Sequence, residues 1–148
     1  MKFFYNLTST KGLDIHSDIF KEYPDPTYIM KLRRINRPMI MIHHEEGLLA
    51  GIAVMKQTGR HLKICLLLVH RRFKNMKLGY NLLKIIRDMF EDEFNDVDIL
   101  YTTVPHQFST DRYQELLLKF GFQISTVKAN GDLVYTYAKS VQKSNWKN

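Results

Sequence analysis

The chain is poor in cysteine and has no long apolar run. A single cysteine, Cys65, among 148 residues excludes an intrachain disulfide and argues against a cysteine-based zinc site. The apolar run at residues 3–5 is too short for a secretion signal. No stretch approaches the length of a membrane span. We therefore expect a cytoplasmic protein with no membrane partner.

The composition is otherwise that of a globular protein with an excess of positive charge. Apolar residues make up 45% of the chain, Lys plus Arg number 22, Asp plus Glu number 15, and the net charge is +7. A chain of this length can bury a core without disulfides or metals. The charge indicates an anionic partner, but it does not choose among a nucleotide, a nucleic acid and an acidic protein.

The hydrophobic pattern predicts an α+β fold. Strands are predicted at 1–7, 39–44, 48–56, 62–69, 97–104, 122–129 and 133–139, and helices at 13–23, 27–35, 78–90 and 109–120. Asp25-Pro26 is typical of a helix start, Gly121 of a helix end and Asn130-Gly131 of a hairpin turn. We expect residues 1–139 to form one domain and residues 140–148 to form a flexible polar tail.

The segment from 62 to 104 is predicted to form a right-handed parallel crossover of strand, helix and strand. Its first strand contains an unbroken apolar run over 64–69, as expected for a strand buried on both faces. In its helix, apolar residues at helical spacing should face the sheet: Leu78, Leu82, Ile85, Ile86, Met89 and Phe90.

The charges along this helix oppose its dipole. Between residues 47 and 87 the chain has nine Lys or Arg and no acid, whereas residues 88–98 contain six acids and no base. Each misplaced charge costs roughly 0.3–1 kcal/mol. A bound anion at the helix start would explain the arrangement, and so would cations that simply point into water.

Residues 69–79, Val-His-Arg-Arg-Phe-Lys-Asn-Met-Lys-Leu-Gly, resemble the acetyl-coenzyme A loop of the GNAT superfamily of N-acetyltransferases. In that pattern a buried strand ending in Val leads into Arg/Gln-x-x-Gly-x-Gly/Ala and then a helix. Lys74 falls at the Arg/Gln position, Lys77 at the first Gly and Gly79 at the second. Residues 116–122 are similar to the second signature of the family, an aromatic-rich helix end that closes in Gly-Phe.

The resemblance covers residues 47–139 and implies a GNAT-like fold. That fold is a mixed, mostly antiparallel twisted sheet with one parallel β-α-β crossover and helices on both faces. The implied reaction transfers the acetyl group of acetyl-CoA to an amine acceptor, with a backbone donor near the strand end for the thioester oxygen. The implied cofactor-binding residues are Leu67, Leu68, Val69, Lys74, Asn75, Met76, Lys77, Leu78, Gly79 and Tyr80.

The chain departs from the family pattern at two positions. Lys77 in place of Gly could crowd the diphosphate, or its ammonium could contact a phosphate directly. Leu117 stands where the family often has a Tyr that protonates the departing thiolate. Tyr113, one turn earlier on the same helix face, could take this role or could be a core aromatic residue.

The acceptor amine must lose a proton, and residues 62–69 include no acid. His106, at the end of the next predicted strand, and His70, expected in a surface loop, are chemically suitable bases. His43 and His44 are adjacent and point to opposite faces of a strand, so no metal site is expected.

A second hypothesis is a GNAT-like module that has lost catalysis and binds nucleic acid or a protein partner through its basic loop. The basic surface also admits an acceptor amine carried by nucleic acid or by an acidic protein, and a small amine fits equally well. If the strands near 39–44 or 133–139 are exposed edge strands, they could pair between two copies of the chain, so a homodimer is possible.

Overall fold

The computed structural model describes residues 2–21, 23, 25–105 and 111–139, and in them the chain forms seven strands and three α-helices. In chain order these are β1 (Phe3–Ser9), α1 (Pro26–Arg34), β2 (Pro38–His44), β3 (Leu49–Thr58), β4 (His61–Val69), α2 (Leu78–Asp92), β5 (Ile99–Val104), α3 (Asp111–Lys119), β6 (Gln123–Val127) and β7 (Leu133–Ala138). Short 3₁₀ turns lie at Thr10–Gly12, Asp18–Phe20 and Arg71–Phe73.

The strands are hydrogen-bonded in the order β1-β2-β3-β4-β5-β7-β6. Strands β1 and β2, β2 and β3, β5 and β7, and β6 and β7 pair antiparallel. Strands β4 and β5 pair in parallel, with His61 opposite Ile99 and Lys63 opposite Tyr101. A parallel pair requires a crossover connection, which here contains α2. The predicted α+β class, with a mostly antiparallel sheet and one parallel pair, is confirmed.

Internal contacts divide the chain into two compact units, one of residues 1–56 and 65–83 and one of residues 57–64 and 84–148. In the first unit, Leu66 of β4 shares a buried cluster with Ile29 and Leu32 of α1. A Cβ added at Gly79 of α2 would instead lie 3.7 Å from Val69 Cγ2. Since alternate residues of a strand point to opposite faces, helices cover both faces of the sheet in this unit.

The helix end and the hairpin predicted in the second unit are both present. Gly121 has a φ of +93°, and the amides of Gly121 and Phe122 donate to the carbonyls of Leu118 and Leu117 at 3.0 Å. These two hydrogen bonds together form the Schellman motif, which needs a residue in the left-handed conformation. Gly131, also with a φ of +93°, turns the chain between β6 and β7.

The predicted helix over 13–23 is wrong, because the described residues of this region contain one short 3₁₀ turn, Asp18–Phe20, and no α-helix. Asp14 accepts a bond from the amide of His16 at 2.9 Å through its own side chain. Such a local side-chain bond competes with the helical backbone bonds. The hydroxyl of Thr10, which donates to Ile35 O at 2.7 Å, holds the start of the segment to the end of α1.

Two expectations about burial also need correction. Strand β4 is not buried on both faces, because Leu62, Ile64 and Leu66 are buried while Lys63 and Cys65 between them are only half-buried. The helix α2 buries Leu83, which the periodicity missed. Its other buried residues are Leu78, Leu82, Ile86 and Phe90, as predicted, whereas Ile85 and Met89 are half-buried.

Candidate functional site

The connection from β4 to α2 is anchored at its first residue, His70. The amide of His70 donates to Ala50 O of β3 at 2.8 Å. Its ring Nδ1 accepts from the amide of Arg72 at 3.1 Å, and Nε2 lies 2.6 Å from Asp18 Oδ2. Because Nδ1 accepts, Nε2 carries the ring proton and donates to the carboxylate.

His70 therefore has a structural role and is not in a surface loop as expected. Its side chain is 5% exposed, and both ring nitrogens are engaged. Hydrogen bonds from Lys21 and His70 lower the pKa of Asp18 to about 2, so this carboxylate is ionised at neutral pH. The ring fixes the entry of the loop and is not free to take a proton from an acceptor amine.

Phe73 fastens the middle of the connection. Its ring is 1% exposed and stacks on His44 with centroids 5.0 Å apart, while Phe3 approaches edge-on at 5.5 Å. The amide of Phe73 donates to His70 O at 2.8 Å, and the amide of Met76 donates to Phe73 O at 3.1 Å. The buried ring and these two turn bonds hold the following residues, 74–77, at the surface.

Lys77 adopts a backbone conformation that favours glycine. Its φ is +58°, and it is the non-glycine residue with a positive φ among the residues that the structure describes. For an L-residue with a Cβ this left-handed conformation costs roughly 1–2 kcal/mol. Lys77 occupies the position of the first Gly in the signature, so the loop keeps the turn that glycine makes easy although the glycine is absent.

The start of α2 combines helix amides with exposed cations. The first i→i−4 backbone bond of the helix runs from the amide of Asn81 to Lys77 O at 3.0 Å, and the first amides of a helix, here those of Leu78 and Gly79, precede this bond pattern. Lys77 precedes the first helical residue, Leu78, and its ammonium has no acceptor with which to cap an amide. The first turn contains no acid. Amide hydrogens and the exposed ammonium groups of Lys74 and Lys77 are the groups that bind a phosphate.

The other predicted cofactor-binding residues belong to the same part of the first unit. The side chains of Leu67 and Val69 lie toward α2, 3.9 and 3.7 Å from a Cβ placed at Gly79, while Leu68 packs against the cluster of α1. These side chains face the protein, so the strand end can offer a ligand its backbone groups. Among the remaining predicted residues, Asn75, Met76 and Tyr80 are exposed and Leu78 is buried.

The predicted catalytic residues lie outside this unit or outside the described residues. Tyr113 of α3 belongs to the second unit. Burial raises the pKa of its phenol, against a smaller effect of a hydrogen bond with Thr102, so it keeps its proton at neutral pH. Leu117 is completely buried. His106 lies outside the described residues.

Three residues that the sequence analysis missed meet on β4. The hydroxyl of Tyr28, from α1, donates to Cys65 O at 2.7 Å. The guanidinium of Arg37, from the segment between α1 and β2, lies 3.8 Å from Cys65 Sγ through Nη1. In the chain, Cys65 is 37 positions from Tyr28 and 28 positions from Arg37. No periodicity or sequence motif could have indicated contacts over such separations.

Two kinds of site are not found in the part of the chain that the structure describes. No three His, Cys, Asp or Glu side chains are grouped there so that they could hold a metal ion. None of its helices combines the length and the apolar character needed to cross a membrane.

Comparison with known proteins identifies the fold. No protein-family model matches the chain, and no curated protein matches it. The solved structure of the ribosomal-protein-S18-alanine N-acetyltransferase from Escherichia coli superposes with a TM-score of 0.72 at 14% identity, covering 93% of this chain and 95% of that one.

Two further solved structures contain the cofactor. A GNAT family acetyltransferase from Elizabethkingia anophelis with acetyl-CoA bound has a TM-score of 0.71 at 17% identity, covering 90% of this chain and 97% of that one. A Campylobacter jejuni N-acetyltransferase in complex with acetyl coenzyme A has a TM-score of 0.67 at 15% identity, covering 93% of this chain and all of that one, 100%. These likenesses show that the chain has the GNAT acetyltransferase fold.

Proposed function

We propose that this protein is an N-acetyltransferase that transfers the acetyl group of acetyl-CoA to an amine. The observation that carries the proposal is the left-handed Lys77, with a φ of +58°, at the start of α2 in a GNAT fold. A strained residue persists where the surroundings impose it. The strained residue comes directly before the first amides of α2, and Lys74 and Lys77 in the same connection are exposed; amides and cations of this kind support diphosphate binding.

The residues at the loop fit the cofactor. The amides of Lys77, Leu78 and Gly79 and the ammonium groups of Lys74 and Lys77 would hold the diphosphate, and the backbone at the end of β4 would bind the rest of the cofactor. Acetyl-CoA, when bound, supplies an acetyl group already activated as a thioester. The task left to the protein is to position the amine and polarise the carbonyl oxygen.

Tyr113 is our candidate for the proton donor in this reaction. Its raised pKa keeps the phenol protonated, so it can give a proton to a departing thiolate. His106 remains our prediction for the base that accepts a proton from the amine. No acid is present on β4, and His70 is engaged with Asp18 and Arg72.

Calorimetric titration with acetyl-CoA tests the proposal. We expect binding to the wild type, and the absence of binding at millimolar ligand would remove the enzyme hypothesis. Lys77→Gly relieves the backbone strain and should raise the free energy of unfolding by about 1 kcal/mol, after the cost of glycine in the unfolded chain. Lys77→Asn is the matched control, because it removes the same charge but retains a Cβ.

The two variants separate the two ways in which Lys77 can act. If the close approach of amides dominates, Lys77→Gly binds acetyl-CoA as well as the wild type or better. If the ammonium contacts a phosphate, both neutral variants bind more weakly. A loss of affinity in Lys77→Asn alone would attribute the effect to its side chain and not to the lost charge.

A binding module without catalysis is the second candidate function. The observation that favours it is Leu117, which is completely buried at the position where the family often has a Tyr. In this case the basic loop would bind nucleic acid or a protein partner. Salt-dependent binding of arbitrary DNA or RNA, with no competition from coenzyme A, would support it.

A further inference from the structure

The backbone of Arg37 is held by two hydrogen bonds, and its side chain lacks an acceptor for the inner N–H group. The amide of Arg37 donates to Thr10 Oγ1, and the amide of Thr10 donates to Arg37 O, each at 3.0 Å. Thr10 is completely buried. The backbone of Arg37 is thus clamped on both sides, which directs its side chain toward β4.

The buried Nε of Arg37 has no hydrogen-bond partner within the described part of the chain. Its Nη1 has only the weak acceptor Cys65 Sγ, at 3.8 Å. None of the ion pairs found among the described residues involves Arg37. A buried N–H group without an acceptor is unfavourable, so an external anion that accepts from Nε would improve its environment.

The neighbours of Arg37 define a small, partly accessible site. The phenol of Tyr28 donates to Cys65 O at 2.7 Å, and its ring stacks with Tyr23 at a centroid distance of 6.5 Å. The phenol of Tyr28 and the guanidinium of Arg37 both contact Cys65, so they are neighbours, and the charge of Arg37 opposes the rise that burial produces in the pKa of Tyr28. Arg37, Tyr23, Tyr28 and Cys65 are all half-buried, so a ligand can reach them from the surface.

The site lies on the strand that the proposed reaction uses. Cys65 and Leu67 are two residues apart on β4, about 6.6 Å at the rise of a strand, and the backbone from Leu67 onward is where the thioester is expected. An anion at Arg37 would therefore lie within a few bonds of an amine positioned for acetyl transfer. A planar guanidinium fork matches a carboxylate in particular.

We propose that Arg37 binds the carboxylate of the acceptor, and that the acceptor is an amino acid or another small amine carrying a carboxylate. This inference rests on the proposed acetyltransferase function. Arg37 determines specificity here, and Tyr28 positions the strand carbonyl beside it. The proposal concerns residues of the first unit only and adds no step to the chemistry.

A panel of matched acceptors tests the inference. The probes are the standard L-amino acids, each with its carboxamide, and phosphoethanolamine, with release of coenzyme A from acetyl-CoA as the readout. We expect at least one amino acid to exceed its amide in kcat/KM by about 10- to 100-fold, the size of a charge-assisted bond. Arg37→Met should abolish this difference, and Arg37→Lys should retain only part of it.

Arg34→Met is the matched control, because it removes the same charge from an exposed residue at the end of α1. It should keep the preference for the carboxylate. Equal rates for amino acids and amides in the wild type would overturn the proposal. A preference for phosphoethanolamine would overturn the assignment of the anion as a carboxylate.

A binding measurement separates this inference from the proposed function. Without acetyl-CoA, the preferred amino acid at about 10 mM should raise the thermal midpoint of the wild type by mass action, and not that of Arg37→Met. Arg37→Met should bind acetyl-CoA as the wild type does, which also shows that it folds. If no amine is acetylated, the whole panel is used in this assay. If no amino acid raises the thermal midpoint of the wild type, Arg37 binds only water, and the inference is overturned.

Discussion

The two helix starts in the first unit, those of α1 and α2, solve the same problem in opposite ways. At α1, Asp25 accepts the amide of Tyr28 on its side chain at 3.1 Å, and Pro26 occupies the first turn. At α2, Lys77 takes a left-handed conformation, and its side chain offers no acceptor for a helix amide. The first helix caps the amide of Tyr28 with its own side chain, whereas the second has no side-chain acceptor at Lys77, and we propose that a ligand takes this place.

The difference shows how a stable element and a binding element can be recognised on the same chain. A capped start with an acid near the positive end of the dipole is favourable in the free protein. A start with a strained residue and cations is unfavourable in the free protein. Under the proposed function, the bound diphosphate would offset this cost.

Placing an acid before α2, as Asp25 stands before α1, should produce the largest change in acetyl-CoA affinity. Lys77→Asp places an acid at the helix start, and we expect acetyl-CoA affinity to fall about 100-fold, on the scale of 2–5 kcal/mol for a charged contact. The free energy of unfolding should rise by about 0.3–1 kcal/mol through the dipole. Calorimetry and denaturant unfolding measure the two. Equal affinity in the wild type and the variant would show that the loop does not hold the diphosphate.

Removing the cap of α1 should change stability without changing binding. Asp25→Ala leaves the amide of Tyr28 without its acceptor, and we expect the free energy of unfolding to fall by about 1 kcal/mol. Acetyl-CoA affinity should be unchanged. Asp92→Ala is the control, because it removes an exposed acid at the end of α2, where the dipole disfavours it. A loss in Asp92→Ala equal to that in Asp25→Ala would indicate a general charge effect.

The anchor of the α2 loop should show a pH dependence. The pKa of Asp18 is lowered from 3.8 to about 2 by Lys21 and His70. A lowered pKa stabilises the folded state above the ordinary value, and this contribution is lost as the pH falls from about 4 to about 2. The difference in thermal midpoint between wild type and Asp18→Asn should therefore be constant near neutral pH and shrink in that window. A difference that persists unchanged at pH 2 would contradict the anchoring role.

Local rules predicted most of the secondary structure. Asp25-Pro26, Gly121 and Asn130-Gly131 each act through their own backbone angles or side-chain bonds, and each stands where it was expected. The pattern failed over 13–23, where apolar spacing resembled a helix but Asp14 bonds to the backbone two residues later. The spacing of apolar residues gives no information about such a side-chain hydrogen bond.

The sequence by itself determined the approximate place of most elements, the excess of cations before α2 and the Gly-Phe helix end, because these depend on neighbours within a few positions. Only the tertiary structure decided that Asp18 meets His70, that Arg37 reaches Cys65, and that Lys77 is held at a positive φ. Each of these depends on contacts between segments 28 to 52 residues apart or on the anchoring of a whole loop. Local preferences cannot specify such contacts, because they arise when the sheet brings distant segments together.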